Sequence, residues 1–143
     1  MIGIIISGHG NFATGIQSSL NLIAGNVSNI EYIDFLQNDS TDSLKQKYIN
    51  ALNNLNSCDN ILALTDLTGG SPFKTLVELK TEIKRPLEVI GGVNIPMILE
   101  ISMAKDFIYD LPKLTKTALE VGKNGIIKFE LFTHEDIECE DGI

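Results

Sequence analysis

The chain has 143 residues, enough for one domain with a sizeable core, and its hydrophobic fraction of 43% and charged fraction of 21% are ordinary for a globular protein. No apolar run reaches the roughly 18–20 residues that span a bilayer, and no basic region with a cleavage site opens the sequence, so we expect a cytoplasmic protein without a signal peptide. The formal net charge of −8 argues against nucleic acid and anionic membrane surfaces as partners. It favours a partner with a basic face, although acidity also keeps a protein in solution.

The two cysteines, Cys58 and Cys139, lie far apart and show no C-x-x-C spacing. We therefore expect a reduced chain with neither a disulfide nor a metal site. His134 stands beside Glu135 and Asp136, which are all metal-ligand types, but a solvated acidic terminus explains the same residues. No cofactor is predicted.

Short apolar stretches alternate along the chain with segments of helical periodicity. The first stretch, residues 2–6, is continuously apolar and rich in isoleucine, as is typical of a parallel strand buried on both faces. Three more strands are predicted over residues 30–35, 61–65 and 87–90. A last strand is predicted over residues 126–132, followed by a polar, acidic tail over residues 133–143.

Apolar residues recur at helical spacing after the strands, and polar or glycine residues mark the helix ends. The first helix is predicted to stop at Gly25, the second to start at Thr41, and two later helices to be capped by Asn94 and Asp110. Ser71 is predicted to be an N-cap, because proline follows it. The predicted buried stripes are Ile16, Leu20 and Ile23; Leu44, Tyr48, Leu52 and Leu55; and Leu76, Val77, Leu79 and Ile83.

Strands that alternate with helices indicate an α/β fold, a single-domain doubly wound sheet that is mostly parallel. With the strand order 2-1-3-4, the first and third strands are neighbours on either side of the point where the winding reverses. Ligands bind such sheets beyond the carboxyl ends of the strands. The loops over residues 7–11, 66–71 and 91–94 are therefore the candidate sites.

His9 lies directly after the first predicted strand, between two glycines that leave the imidazole open to another protein. Asp66 follows the third predicted strand, so the strand order predicts that the two side chains face each other. An aspartate that accepts the Nδ1–H bond of a histidine leaves Nε2 as a free nucleophile. The alternatives are that His9 is an ordinary surface histidine and that Asp66 only starts a turn.

Gly69, Gly70 and Ser71 bring backbone N–H groups to the start of the third predicted helix, which is a ready anion site. A phosphoryl group on His9 could be held there by the amides and the serine hydroxyl, or Ser71 could serve only as a helix cap. The stretch lacks the G-x-x-x-x-G-K-[ST] pattern of a nucleotide-binding loop. No G-x-G-x-x-G or G-x-S-x-G pattern indicates a dinucleotide fold or an esterase.

Three stretches, I-I-I-S-G-H-G, T-D-L-T-G-G-S-P-F and E-V-I-G-G-V-N-I-P-M, resemble in order and spacing the IIA domains of the mannose family of sugar phosphotransferase systems. That family has mannose, fructose, sorbose and N-acetylgalactosamine branches, and the resemblance covers residues 1–132. It implies that His9 is the phosphorylated histidine, Asp66 its hydrogen-bonded partner and Ser71 the serine beside the phosphate.

The resemblance also implies the partners. A histidine-containing phosphocarrier protein, HPr, would phosphorylate His9, and a IIB component would receive the group for sugar uptake, with the membrane reached only through a IIC/IID permease. A homodimer is implied as well, in which the last strand is exchanged between subunits and runs antiparallel to the rest. The rival hypotheses are a regulatory phospho-sensing module on the same fold and a small α/β hydrolase-like enzyme.

Overall fold

The computed structural model describes residues 1–131, which form four strands and five helices. The strands are β1 (Ile2–His9), β2 (Ile30–Phe35), β3 (Asn60–Thr65) and β4 (Leu87–Gly91). The helices are α1 (Phe12–Ala24), α2 (Thr41–Asn54), α3 (Ser71–Glu82), α4 (Ile95–Ala104) and α5 (Leu111–Asn124). The acidic tail over residues 133–143, with His134 and Cys139, lies outside the described residues.

The four strands form one parallel sheet in the order β2-β1-β3-β4, as predicted. The register places Ser7 opposite Thr65 on one side of β1 and His9 opposite Phe35 on the other. Because β1 and β3 are central neighbours, the residues that follow them emerge side by side at the carboxyl edge of the sheet.

Helices cover both faces of the sheet, which gives three layers and two apolar cores. On one face α1, α4 and α5 pack on alternate strand residues such as Ile4, Ile6 and Leu64. On the other face α2 and α3 pack on Ile5 and Ala63. Both faces of the central strands are buried, and this explains why their sequences are continuously apolar.

The boundaries near the carboxyl edge differ from the predicted ones in two places. Strand β1 continues to His9, three residues beyond the predicted end, because Ser7 to His9 stay paired with β2. The N-cap of α3 is Gly70 rather than Ser71, so Ser71 is the first helical residue. Helix α2 starts at Thr41 as predicted, and the Asn94 side chain caps α4 by accepting a hydrogen bond from the Met97 N–H. Asp110 occupies the predicted N-cap position of α5, but its side chain makes no capping hydrogen bond.

The predicted buried stripes are confirmed most fully in α2. There Leu44, Tyr48, Leu52 and the adjoining Leu55 are all buried, Tyr48 completely. In the stripes of α1 and α3, Ile23 and Val77 are 42% and 41% exposed. These two positions lie at the edges of stripes whose centres, such as Leu20 and Leu76, contact the sheet layer.

Residues 126–131 form no strand within a single chain, so the predicted last strand pairs with no strand of its own copy. The segment follows the end of α5 and exposes four large apolar side chains. They are Ile126, Ile127, Phe129 and Leu131, each 79–91% exposed. Exchange of this segment between two copies stays a prediction.

Among the described residues, no helix combines the length and the apolar character that crossing a bilayer requires.

Candidate functional site

The site lies at the carboxyl edge of the sheet, where β1 and β3 end side by side. His9 is the last residue of β1, and Asp66 is the first residue after β3. The backbone N–H of Asp66 donates to the Ser7 carbonyl at 3.2 Å, which continues the ladder between the two strands by one bond. The predicted juxtaposition of His9 and Asp66 is therefore present in the structure.

One carboxylate oxygen of Asp66 holds His9 by two hydrogen bonds. Oδ2 accepts from the backbone N–H of His9 at 2.8 Å and contacts Nδ1 of the ring, also at 2.8 Å. An ionised carboxylate can only accept hydrogen bonds, so Nδ1 carries the proton and the lone pair is on Nε2. The His9 side chain is 45% exposed, whereas that of Asp66 is 18% exposed. A shielded carboxylate thus orients an accessible imidazole.

Gly8 lets this carboxylate approach the strand. A Cβ at Gly8 would lie 2.8 Å from Cγ of Asp66 and 2.5 Å from the ring of Phe12. The sequence suggested that the flanking glycines keep the imidazole open; Gly8 instead makes room for Asp66 and Phe12. Gly10, the other flanking glycine, adopts a φ of 57° with no atom near its missing Cβ, so it serves the turn into α1.

Phe35 supports the other side of the imidazole. It is paired with His9 across the β1–β2 ladder, and the two rings meet edge to face, with centroids 5.8 Å apart and an interplanar angle of 71°. The sequence analysis did not single out Phe35. The only available signal was its position at the end of the strand next to β1, which requires the strand order to be known.

Helices α1 and α3 follow the two central strands and begin at this edge, and they differ in whether side chains accept hydrogen bonds from their first N–H groups. At α1 the Asp34 carboxylate accepts hydrogen bonds from both the N–H and the hydroxyl of Thr14. At α3 no side chain caps the helix, and Pro72 has no N–H to offer. The N–H groups of Ser71 and Phe73 have no acceptor among residues 1–131. The start of α3 is therefore the one of the two that is free to bind an anion.

Gly70 places the start of α3 directly against the Cε1 and Nε2 side of the His9 ring. A Cβ at Gly70 would lie 2.8 Å from Cε1 and 3.5 Å from Nε2 of the imidazole. Gly69 adopts a φ of 82°, which glycine tolerates and which turns the chain into the helix. The Ser71 hydroxyl makes no hydrogen bond within the described residues. Of the three predicted residues, Gly70 lies against the His9 ring, and Gly69 and Ser71 flank it in sequence.

The loop before α3 rests on the end of β4. Gly91 lies under Thr68, since a Cβ there would come within 2.7 Å of the Thr68 Cα. The sequence analysis assigned no role to this contact.

Below the site, burial raises the pKa of Tyr48, whose hydroxyl lies 2.7 Å from Ser7 Oγ. Within residues 1–131, no group of three or more His, Cys, Asp or Glu side chains is arranged to hold a metal ion.

The family of this chain follows from a match to a known protein family over most of its length. The model described as the PTS system fructose IIA component, where PTS denotes the phosphotransferase system, matches residues 3–118. The chain belongs to this family. It is thus a member of the mannose-type IIA components, as the three sequence stretches predicted.

Relatives with assigned roles come from several branches of the IIA components. The chain is 34% identical over 125 residues to the mannose-specific EIIAB component of Escherichia coli, covering 87% of this chain but 38% of that protein. The chain therefore spans well under half of that relative. It is 27% identical to the fructose-specific EIIA component of Bacillus subtilis, with 98% of this chain and 99% of that protein aligned.

Solved structures agree with this assignment. The phosphotransferase system component EIIA from Streptococcus agalactiae is 32% identical and superposes with a TM-score of 0.83, covering 90% of this chain and 97% of that one. The mannose/sorbose-specific IIA subunit from Enterococcus faecalis, at 20% identity, shares the fold with a TM-score of 0.80 over 92% of this chain and 96% of that one.

Proposed function

We propose that this IIA component is a phosphocarrier in which His9 accepts a phosphoryl group from phosphorylated HPr and passes it to a IIB component for sugar uptake. One observation supports this proposal above the others. Asp66 holds Nδ1, and the free Nε2 side of the ring faces the open N-terminus of α3. A nucleophile and an anion site thus lie next to each other on an exposed edge.

Each transfer forms one bond to phosphorus and breaks another. In the first step the lone pair of His9 Nε2 attacks the phosphorus, the bond to the HPr histidine breaks, and that histidine leaves with the bonding electrons. In the second step the IIB acceptor attacks in line, and Nε2 of His9 is the leaving group. Asp66 keeps its hydrogen bond to Nδ1 throughout and offsets the positive charge that the ring gains on phosphorylation.

The remaining residues position the transferred group. The N–H groups of Ser71 and Phe73 and the Ser71 hydroxyl are the donors available to the phosphoryl oxygens, and the partial positive charge of the α3 N-terminus favours them. Catalysis of phosphoryl transfer rests on positioning and charge stabilisation, so no further acid or base is needed. No cofactor takes part in the proposed transfers.

The proposed setting follows from the partners. HPr and a IIB component would meet His9 in the cytoplasm, and the membrane would be reached only through the IIC/IID permease. A regulatory phospho-sensing module would use the same histidine but would keep its phosphoryl group. The two functions therefore differ in whether the group leaves.

The test is a two-step labelling experiment. The chain is incubated with phosphorylated HPr carrying ³²P, purified, and mixed with the IIB components of mannose, fructose, sorbose and N-acetylgalactosamine systems. We expect labelling of the chain within seconds, and loss of the label to at least one IIB component.

Two variants locate the group. His9→Ala should abolish labelling, whereas His134→Ala should leave it unchanged, because His134 and His9 are the two histidines of the chain. Label that survives in His9→Ala contradicts the proposal. Label that enters His9 but leaves for none of the IIB components supports the regulatory module instead.

A further inference from the structure

We propose that Tyr48 is a positioning residue of the phosphoryl-transfer site, whose buried hydroxyl sets the spacing between the His9 end of β1 and the start of α3. The inference rests on the proposed function, because the spacing matters for a group that passes between Nε2 and the α3 amides. Tyr48 does not touch the reacting atoms. It acts through the two segments that do.

Tyr48 extends from the middle of α2 to a point below the site. Its side chain is completely buried, and its hydroxyl lies 2.7 Å from Ser7 Oγ and 3.4 Å from the carbonyl oxygen of Pro72. Ser7 lies two residues before His9 on β1, and Pro72 directly follows Ser71 in α3. One hydroxyl therefore contacts both segments that form the site.

The donors and acceptors of this cluster are determined by its neighbours. Ser7 Oγ donates to the Ile33 carbonyl at 2.8 Å, so its proton is engaged. The single proton of the Tyr48 hydroxyl is therefore shared between two acceptors, Ser7 Oγ and the carbonyl oxygen of Pro72. Burial is the largest effect on the Tyr48 hydroxyl and raises its pKa; the contact with Ser7 lowers that pKa by less, and the nearby charge of Asp66 raises it slightly, so the hydroxyl stays protonated. The longer contact to Pro72 is the weaker of the two.

The contact between Tyr48 and Ser7 is therefore a buried support for a site whose His9 side chain is exposed. The Ser7 carbonyl also accepts the Asp66 N–H, so any movement of Ser7 moves both His9 and its carboxylate partner. Ser7 is completely buried as well, and no solvent competes for the hydroxyl pair. Removing the Tyr48 oxygen leaves the packing of the ring intact but frees β1 from α3 by one link.

The test compares Tyr48→Phe with the unaltered chain in single-turnover phosphorylation by HPr. We expect a maximal rate about tenfold lower, the loss that follows from one hydrogen bond of ordinary strength. The HPr concentration at half-maximal rate should not change, because Tyr48 contributes nothing to the exposed surface. In ¹⁵N NMR spectra of the unphosphorylated chain, the Gly70 and Ser71 amide signals and the His9 ring signals should shift.

Two further variants separate positioning from general loosening. Ser102→Ala deletes another buried hydroxyl, bonded to the Leu99 carbonyl in α4, and should keep the native rate. Ser7→Ala breaks the same link from the strand side, so combining it with Tyr48→Phe should lower the rate no further than the slower single variant does.

The outcomes decide the inference independently of the proposed function. Unchanged Gly70, Ser71 and His9 signals in Tyr48→Phe overturn it, and so does an equal loss of rate in Ser102→Ala. If the unaltered chain accepts no group from HPr, the proposed function fails. The NMR comparison still decides whether Tyr48 holds the two segments in place.

Discussion

The backbone N–H of His9 donates to the same Asp66 oxygen that contacts the ring, and this doubling determines which substitutions the pair tolerates. Oδ2 must be an acceptor, because two N–H groups point at it. The other oxygen, Oδ1, is buried and has no hydrogen-bond partner among the described residues. Burying Oδ1 without a hydrogen bond costs free energy. This cost is better explained if Asp66 positions His9 than if Asp66 only starts a turn.

Asp66→Asn and Asp66→Ala should differ in their effects on transfer. In Asp66→Asn the amide oxygen has to face the His9 N–H, so the ring keeps its tautomer and loses only the charge of its partner. We expect single-turnover phosphorylation about tenfold slower in Asp66→Asn and about 10²-fold slower in Asp66→Ala, which offers no acceptor.

Nitrogen NMR of the His9 ring provides the check on this interpretation. Nδ1 should remain protonated in Asp66→Asn and should exchange between tautomers in Asp66→Ala. Equal, near-native rates in both variants would show that Asp66 only shapes the turn.

Gly70→Ala tests the close approach of the α3 start to His9. The new Cβ would lie 2.8 Å from Cε1 and 3.3 Å from the Leu67 carbonyl, so the ring has to move. Displacement of a reacting group by a fraction of an ångström should slow phosphorylation by at least about tenfold.

Gly15→Ala is the matched control for that substitution. Gly15 lies within α1 and has no atom within 4 Å of its missing Cβ, so the variant should be phosphorylated at the native rate. It should also gain about 0.5–1 kcal/mol in the free energy of unfolding from the better helix propensity of alanine. A native rate in Gly70→Ala would contradict the proposed contact.

At the scale of elements, α2 and α3 begin in opposite ways. Ser40 and Ser43 form a capping box at α2, in which each side chain accepts a hydrogen bond from the backbone N–H of the other. Helix α3 has Gly70 as its N-cap and therefore no side-chain cap, although Ser71 stands one position further on. The first arrangement stabilises a helix, whereas the second leaves donors free for a ligand.

Ser40→Ala and Ser71→Ala should therefore separate stability from transfer. We expect Ser40→Ala to lose about 1 kcal/mol in the free energy of unfolding and to keep the native transfer rate. Ser71→Ala should stay within about 0.5 kcal/mol of native stability, because its hydroxyl caps nothing, and should transfer about tenfold more slowly.

Urea denaturation and single-turnover labelling of both variants measure the two effects. A Ser71→Ala variant that is unstable but transfers normally would mean that the serine is structural after all.

At the scale of the whole molecule, the segment over residues 126–131 has no pairing partner in the described part of one chain. Ile127, Phe129 and Leu131 alternate with Lys128 and Glu130, which is the period of a strand with one apolar face. No strand of the described sheet pairs with the segment. Exchange between two copies would bury its apolar face and pair its backbone.

Deletion of residues 124–143 should convert a dimer into monomers or aggregates in sedimentation velocity. Within the full chain, Phe129→Glu should weaken the dimer, because it charges the apolar face of the segment. Lys128→Glu, on the other face, should leave the dimer unchanged apart from its net charge. A dimer that persists after the deletion would refute the exchange.

Local sequence patterns were sufficient for the four strands of the sheet and the five helices of the described residues. Buried parallel strands must be apolar throughout, and helices between them must repeat every 3.6 residues, so the elements could be predicted and His9 and Asp66 could be placed after the first and third strands. The boundaries were less accurate where pairing extends an element, as in β1, or where a glycine serves as the cap, as at α3.

Only the tertiary structure decided the contacts between segments distant in sequence. Three such contacts lie at or below the site: the edge-to-face contact of Phe35 with His9, the approach of Gly70 to Nε2, and the contact of the Tyr48 hydroxyl with Ser7. Each joins residues of different elements, and no local pattern encodes its distance. For the same reason the sequence favours a strand over residues 126–132, whereas one chain provides it no partner within the described residues. A strand forms only when its backbone groups are paired, and that depends on the assembly as a whole.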